Sequence, residues 1–165
     1  MSKGPRFVVR FRRRREGVTD YYSRLRLLKS RIPRLVVRRT NRYIIAQVNT
    51  FDFKGDKTLA HANSLELKKH GWNSGLKNTS AAYLIGLVIG KKAVEAGVEK
   101  AIFDMGLYRP SKGAKVFAAL KGASDAGLQI TFEDTLVPSA DRIEGKHLKS
   151  DASAEFAKVK GAILK

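Results

Sequence analysis

Leu35-Val36-Val37-Arg38-Arg39-Thr40-Asn41-Arg42-Tyr43-Ile44-Ile45-Ala46-Gln47-Val48-Asn49 is the stretch that decides the fold. Two β-branched, apolar runs, 35–39 and 43–49, flank Thr40-Asn41, whose side chains favour a turn, so the stretch reads as an antiparallel hairpin. Pro33, just upstream, opens the extended segment. Arg38, Arg39 and Arg42 gather at the tip with Thr40 and Asn41. Three guanidiniums crowded at one turn repel each other, and an anion between them removes that repulsion. The alternative is an exposed, hydrated loop.

Downstream, residues 51–57 (Phe-Asp-Phe-Lys-Gly-Asp-Lys) end the strand and turn, and 58–62 form a third strand. A short helix fits 63–69. The Gly/Asn-rich loop 70–78 follows, with Trp72 as a plug on the domain surface in preference to a base-stacking platform. The clearest helix starts from a cap at Asn78, Thr79 or Ser80 and stops before Gly97. Its apolar residues, Tyr83 to Val88 and Val94, cover more than one face, so the first half is buried, while Lys91 and Lys92 face out. The Gly86/Gly90 spacing lets another element approach closely. Next come a buried-type strand at 100–104, a loop at 106–113, a helix at 112–126 capped by Ser111 and stopped by Gly127, and a last strand at 128–132.

This order, hairpin and third strand and then helix, strand, helix, strand, predicts an α/β domain on a mixed β-sheet: an antiparallel N-terminal hairpin with a right-handed parallel crossover. The chain divides into a basic extension (1–18), the α/β domain (19–132) and a C-terminal tail (133–165). The tail is a polar surface loop to about residue 151, then a short helix at 154–164 that is free to fray.

Upstream of the hairpin the charge is concentrated. The chain has 165 residues and a net charge of +18. Thirteen of its fifteen arginines fall in residues 6–42, and residues 1–42 carry a net +13. A segment so charged resists folding alone and calls for a polyanion, nucleic-acid phosphate first among them. In the extension, Phe7, Val8, Val9 and Phe11 interleave with Arg6, Arg10, Arg12, Arg13, Arg14 and Arg15, a mixture suited to stacking on unpaired bases as well as to phosphate contact. A helix at 20–29, capped by Thr19, presents Tyr21, Tyr22, Leu25 and Leu28 on one edge and Arg24, Arg26 and Arg31 largely elsewhere. It either docks on the domain while showing its charge to RNA or is an ordinary surface helix.

Other chemistries find little support. With no cysteine, thiolate chemistry and disulfides are excluded, and His61, His70 and His147 lack metal-ligand spacing. The longest apolar run, 81–90, is about half of a ~20-residue membrane span. No nucleophile-elbow, zincin or paired-carboxylate pattern is present, so no catalytic residue, metal or cofactor is assigned. The loop Gly106-Leu107-Tyr108-Arg109-Pro110-Ser111-Lys112-Gly113 follows a strand and precedes a helix, where phosphates are cradled. It lacks the Walker spacing, so it reads as an RNA-phosphate site using Arg109, Ser111, Lys112 and Lys115 rather than a nucleotide pocket. Asp104, after a buried strand, satisfies local backbone or a lysine.

Three blocks, Val37 to Val48, Gly75 to Leu87 and Gly113 to Leu128, resemble in order the universal large-subunit ribosomal protein eighteen family, which binds 5S ribosomal RNA. The Lys-Val-Phe-Ala-Ala-Leu-Lys-Gly-Ala form and the arginine-rich start are more similar to its archaeal and eukaryotic branch. The absence of a long C-terminal extension favours the archaeal one. The resemblance implies a structural constituent of the large ribosomal subunit, cytoplasmic and not an enzyme. It would attach 5S rRNA to the large-subunit rRNA in the central protuberance beside other ribosomal proteins, with no membrane and no small-molecule substrate. The implied RNA face comprises the extension arginines 6–15, the tip 38–42 and the loop 109–115. The competing readings are an rRNA-modifying enzyme, which needs a cofactor pocket, and a chromatin-like DNA binder.

Overall fold

A computed structural model of the chain describes residues 4–148 and 152–164. The hairpin forms as its sequence dictates. Strands β1 (Arg34–Arg39) and β2 (Ile44–Thr50) pair antiparallel from Arg34↔Asn49 to Arg39↔Ile44. Thr40 closes the tip: its Oγ1 accepts from Tyr43 N at 2.8 Å and its backbone N donates to Tyr43 O at 2.9 Å. Strand β3 (Lys57–Asn63) pairs antiparallel with β2, and β4 (Ile102–Asp104) runs parallel to β1, giving the mixed order β3-β2-β1-β4.

The two faces of this sheet differ because side chains alternate along each strand. Leu35 and Val37, with Ala46 and Val48 opposite and Ala60 and Ala62 beyond, form an apolar face. Two helices, α3 (Thr79–Glu95) and α4 (Lys115–Asp125), complete the core. Helix α3 begins where Asn78 Oδ1 accepts from Ala81 N at 2.7 Å. Glycines on both helices admit their close approach: a methyl group on Gly86 of α3 would lie 2.1 Å from Ala119 O, and one on Gly122 of α4 would lie 2.2 Å from Tyr83 O. The opposite face carries Arg34, Val36, Arg38, Gln47, Asn49 and Asp104, and among the described residues no helix buries a side on it. Helices α1 (Arg12–Arg15) and α2 (Tyr21–Leu28) contain no buried residue, yet their segment and the sheet line one cleft of about 1260 Å³.

Several expectations are corrected. Asp20, not Thr19, caps α2: its carboxylate accepts from Tyr22 N and Ser23 N, while Thr19 Oγ1 accepts from Arg13 Nε at 2.8 Å. The apolar edge of α2 docks only in part, since Tyr21 and Leu28 are half-buried while Tyr22 and Leu25 are exposed. The helix at 63–69 is a 3-10 segment, Ser64–His70, with Asn63 and Glu66 capping it reciprocally. Trp72 is fully buried rather than a surface plug, because Gly75 O satisfies its indole N–H at 3.3 Å. Lys91 and Lys92 are half-buried and turn inward: Lys91 Nζ donates to Ile163 O at 3.1 Å, and Lys92 Nζ to Glu66 Oε2 at 2.6 Å.

Helix α4 starts after Ala114 without a side-chain cap, because Gly113 at φ +71° leaves the helical path and donates its N–H to Leu136 O. The expected last strand shrinks to a single bridge, Lys100↔Gln129. The residues it pairs with, 99–101, precede the three that join β1, so it stands outside the four-stranded sheet. The tail is not a bare loop. A 3-10 turn (Asp134–Leu136), a short α5 (Ala140–Glu144) and α6 (Ala152–Leu164) follow α4. Phe156, Val159 and Ile163 of α6 are buried, and α6 packs on α3, whose first half is apolar all round and needs cover on every side. Among the described residues no helix is long and apolar enough to cross a membrane.

The helix crossing gives a paired prediction. Gly86→Ala should destabilise by about 2 kcal/mol or more, the overpacking penalty exceeding the helix-propensity gain of about 1 kcal/mol. Gly161→Ala in α6, whose new methyl meets nothing within 4 Å, should stabilise by about 0.5–1 kcal/mol. Urea unfolding of both variants checks the signs.

Candidate nucleic-acid interface

An arginine–aspartate chain crosses the polar face of the sheet. Arg34, on β1, is almost wholly buried and is held between two carboxylates, with Nη1 on Asp104 Oδ2 at 2.8 Å and Nη2 on Asp56. Asp104 Oδ1 also receives Arg38 Nη2 and the backbone N–H of Gly106, both at 2.8 Å, and Arg38 Nη1 donates to Asp104 O at 2.7 Å. Asp56 in turn takes both terminal nitrogens of Arg24 from α2, at 3.0 and 2.7 Å. Burial pushes the Asp56 carboxyl up, but the hydrogen bond from Arg24 and the charges of Arg34 and Arg24 outweigh it, holding it below the usual carboxylate range. Arg34 Nε and Asn49 Oδ1, on cross-strand partners lining the cleft, have no protein partner.

This chain divides the predicted site residues. Arg24 and Arg38 are balanced inside the protein, so the tip does not crowd three free guanidiniums. Arg12 lies 3.7 Å from Glu16. Arg6, Arg10, Arg13, Arg14, Arg15, Arg26, Arg31, Arg39 and Arg42 have no carboxylate partner among the described residues. The four consecutive arginines wind into α1, which spreads their guanidiniums around one turn. Rings stiffen this segment: Phe11 packs on Tyr21 at 5.3 Å between centroids, and the Arg14 guanidinium lies 5.1 Å over Tyr22. Arg31 has φ +57°, a left-handed conformation in which glycine would be less strained.

The tip and the loop before α4 meet. Tyr108 Oη accepts from Arg39 N at 3.0 Å and donates to Arg39 O at 2.8 Å, and the Arg39 guanidinium lies 5.4 Å over the same ring. Burial first, then the charges of Arg39 and Lys77, hold the Lys115 ammonium below its usual range. The charges of Arg39 and Lys77 thus reach Lys115, a repulsion that an anion would relieve. Arg109, Ser111, Lys112, Asn41 and Arg42 are exposed. Among the described residues no group of three potential metal ligands occurs.

Sequence reasoning missed Arg34, Asp56, Lys77 and Tyr108. An arginine opening an apolar strand was the available signal, since a buried charge needs a partner. Asp104 satisfies backbone as expected, but its other partners are arginines, not a lysine.

Residues 5–99 and 95–133 match the family model described as ribosomal large subunit proteins 60S L5 and 50S L18. The chain is 55% identical over 148 residues to the large ribosomal subunit protein uL18 of Methanoregula boonei, covering 90% of this chain and 85% of that protein. The uL18 of Korarchaeum cryptofilum is 51% identical over 152 residues, 92% of this chain and 78% of that one. The uL18 of Methanospirillum hungatei is 50% identical over 157 residues, 95% and 87% respectively. All three relatives are archaeal, in line with the branch expected from the sequence.

Asp104→Ala should destabilise by up to about 3–5 kcal/mol, because it leaves the buried Arg34 with Asp56 alone and takes the carboxylate from Arg38. Asp56, with its folded pKa depressed, adds stability that is full above about pH 4 and is lost as pH falls through the folded value. Asp56→Asn should therefore be less stable than wild type at pH 7, with the gap narrowing at pH 3. Urea titrations at both pH values check this.

Proposed function

The chain belongs to the family of ribosomal large subunit proteins 60S L5 and 50S L18, and from that premise we propose that it is a non-catalytic, cytoplasmic constituent of the large subunit that binds 5S rRNA. In this reading it helps to attach that RNA to the large-subunit rRNA in the central protuberance, beside other ribosomal proteins. The observation that carries the RNA contact is the set of nine arginines in residues 6–42 without a carboxylate partner among the described residues. Their neutralisation by phosphate releases counterions, and their planar forks bridge phosphates and stack on bases.

The contacts fall in three groups. Extension arginines 6–15, all but Arg14 exposed, wrap backbone. Arg39, held by Tyr108, supplies an anion seat together with Lys115, Arg42 and Lys112. Arg13 and Arg26 line the cleft between α2 and the sheet.

Affinity for 5S rRNA should fall steeply with salt, with a log–log slope of several units. Arg39→Ala should weaken binding and reduce the slope by about one unit. Removing residues 1–17 should reduce it further while leaving thermal unfolding nearly unchanged, because the described part of that segment contributes no buried residue. Filter binding at four salt concentrations, with duplex DNA as competitor, tests this. A salt-independent affinity, or equal affinity for the DNA, refutes it.

A further inference from the structure

The turn between β2 and β3 carries two phenylalanines that the core does not use. Phe51 is 47% exposed and Phe53 96% exposed. Their rings meet edge to face, 5.4 Å between centroids and 70° between planes. Such a pair gains the aromatic contact but leaves most of its apolar surface in water, which folding alone does not favour.

The turn is nevertheless fixed in place. Gly55, at φ +149°, donates its N–H to Asp52 O at 3.1 Å. The next residue, Asp56, clamps the turn to Arg24 of α2 and Arg34 of β1. The aromatic pair is thus held at the rim of the arginine-bearing face. Lys54 and Lys57 follow it in the chain, both exposed and without a carboxylate partner among the described residues. A protein-docking core would be depleted of charge around its aromatic anchors. Here the turn's Asp56 is taken up by Arg24 and Arg34 and Asp52 accepts from the backbone N of Lys54, so exposed rings stand beside two unpaired cations, a combination that serves stacked bases joined by phosphates.

We infer that Phe53 stacks on an unpaired nucleobase of 5S rRNA, braced by Phe51, with Lys54 and Lys57 meeting the phosphates on either side. The inference rests on the RNA-binding reading above and adds a base contact to its arginine contacts. Stacking and charge are separable by experiment, because removing a phosphate contact lowers the salt slope whereas removing a stack lowers affinity equally at every salt concentration.

The test measures 5S rRNA affinity across salt for wild type, Phe53→Ala, Phe53→Leu and Phe53→Trp, with thermal unfolding of each to confirm an intact fold. Phe53→Ala should weaken binding about 5- to 100-fold with an unchanged slope. Phe53→Leu, apolar but without a ring face, should weaken it nearly as much, and Phe53→Trp should bind at least as well as wild type. Equal affinity of the alanine variant beside a salt-sensitive wild type overturns the stack alone. So does a loss that comes with a lower slope, or a loss confined to association with another protein. A wild type that does not bind 5S rRNA overturns the functional reading and this inference with it.

Discussion

The buried guanidinium of Arg34 is the constraint around which the polar half of the structure is arranged. A charge this far from water is tolerable only when it is paired. Its two carboxylates come from distant places: Asp104 ends β4, and Asp56 ends the β2–β3 turn. One side chain thereby sets the position of three parts of the sheet, and through Asp56 it reaches a fourth element, α2, by way of Arg24. The isolated pairs in this chain would each contribute little at an exposed surface. Linked through a buried member, they fix geometry, and that geometry decides which arginines are left over.

That division gives the sheet its two characters. The apolar face is closed by helices packed so tightly that backbone replaces side chain at Gly86 and Gly122. The polar face is crossed by a segment whose helices contain no buried residue and which is tied to the sheet by the Arg24–Asp56 ion pair, its ring contacts being internal. Such a segment opens at far lower free energy than the core does. A surface that must adapt to folded RNA is better built from that loosely held layer, with the rigid layer beneath supplying register.

Much of this was legible in the sequence. The hairpin, the α3 cap at Asn78, the α3–α4 approach through glycine and the mixed sheet all follow from local patterns, because period, turn chemistry and missing side chains act over a few residues. What was not legible depends on distant partners. Trp72 looked like a surface residue because its loop is rich in Gly and Asn, yet it is fully buried. The strand expected at 128–132 has the right composition, but the sheet offers it no edge beyond one bridge. The terminal helix was expected at 154–164, but not its docking: Phe156, Val159 and Ile163 are buried and α6 packs on α3 instead of fraying. At the site, the arginines were countable but their division was not: nothing near Arg24 or Arg38 in sequence shows that Asp56 and Asp104 claim them.

Those two aspartates offset part of the charge that resists folding in so basic a chain. The first 42 residues hold a net +13, and like charges at such density favour extended states. Asp56 and Asp104 lie outside that stretch and return two negative charges to its middle, where Arg24, Arg34 and Arg38 converge. They do so without touching the extension or Arg39 and Arg42 at the tip, so the arginines at both ends keep their charge. Replacing either acid by a third kind of contact would not serve, because only a carboxylate both accepts the forked hydrogen bonds and cancels charge. An anion-binding surface of this kind therefore requires acids of its own, placed where they organise the guanidiniums and kept from those that must stay free.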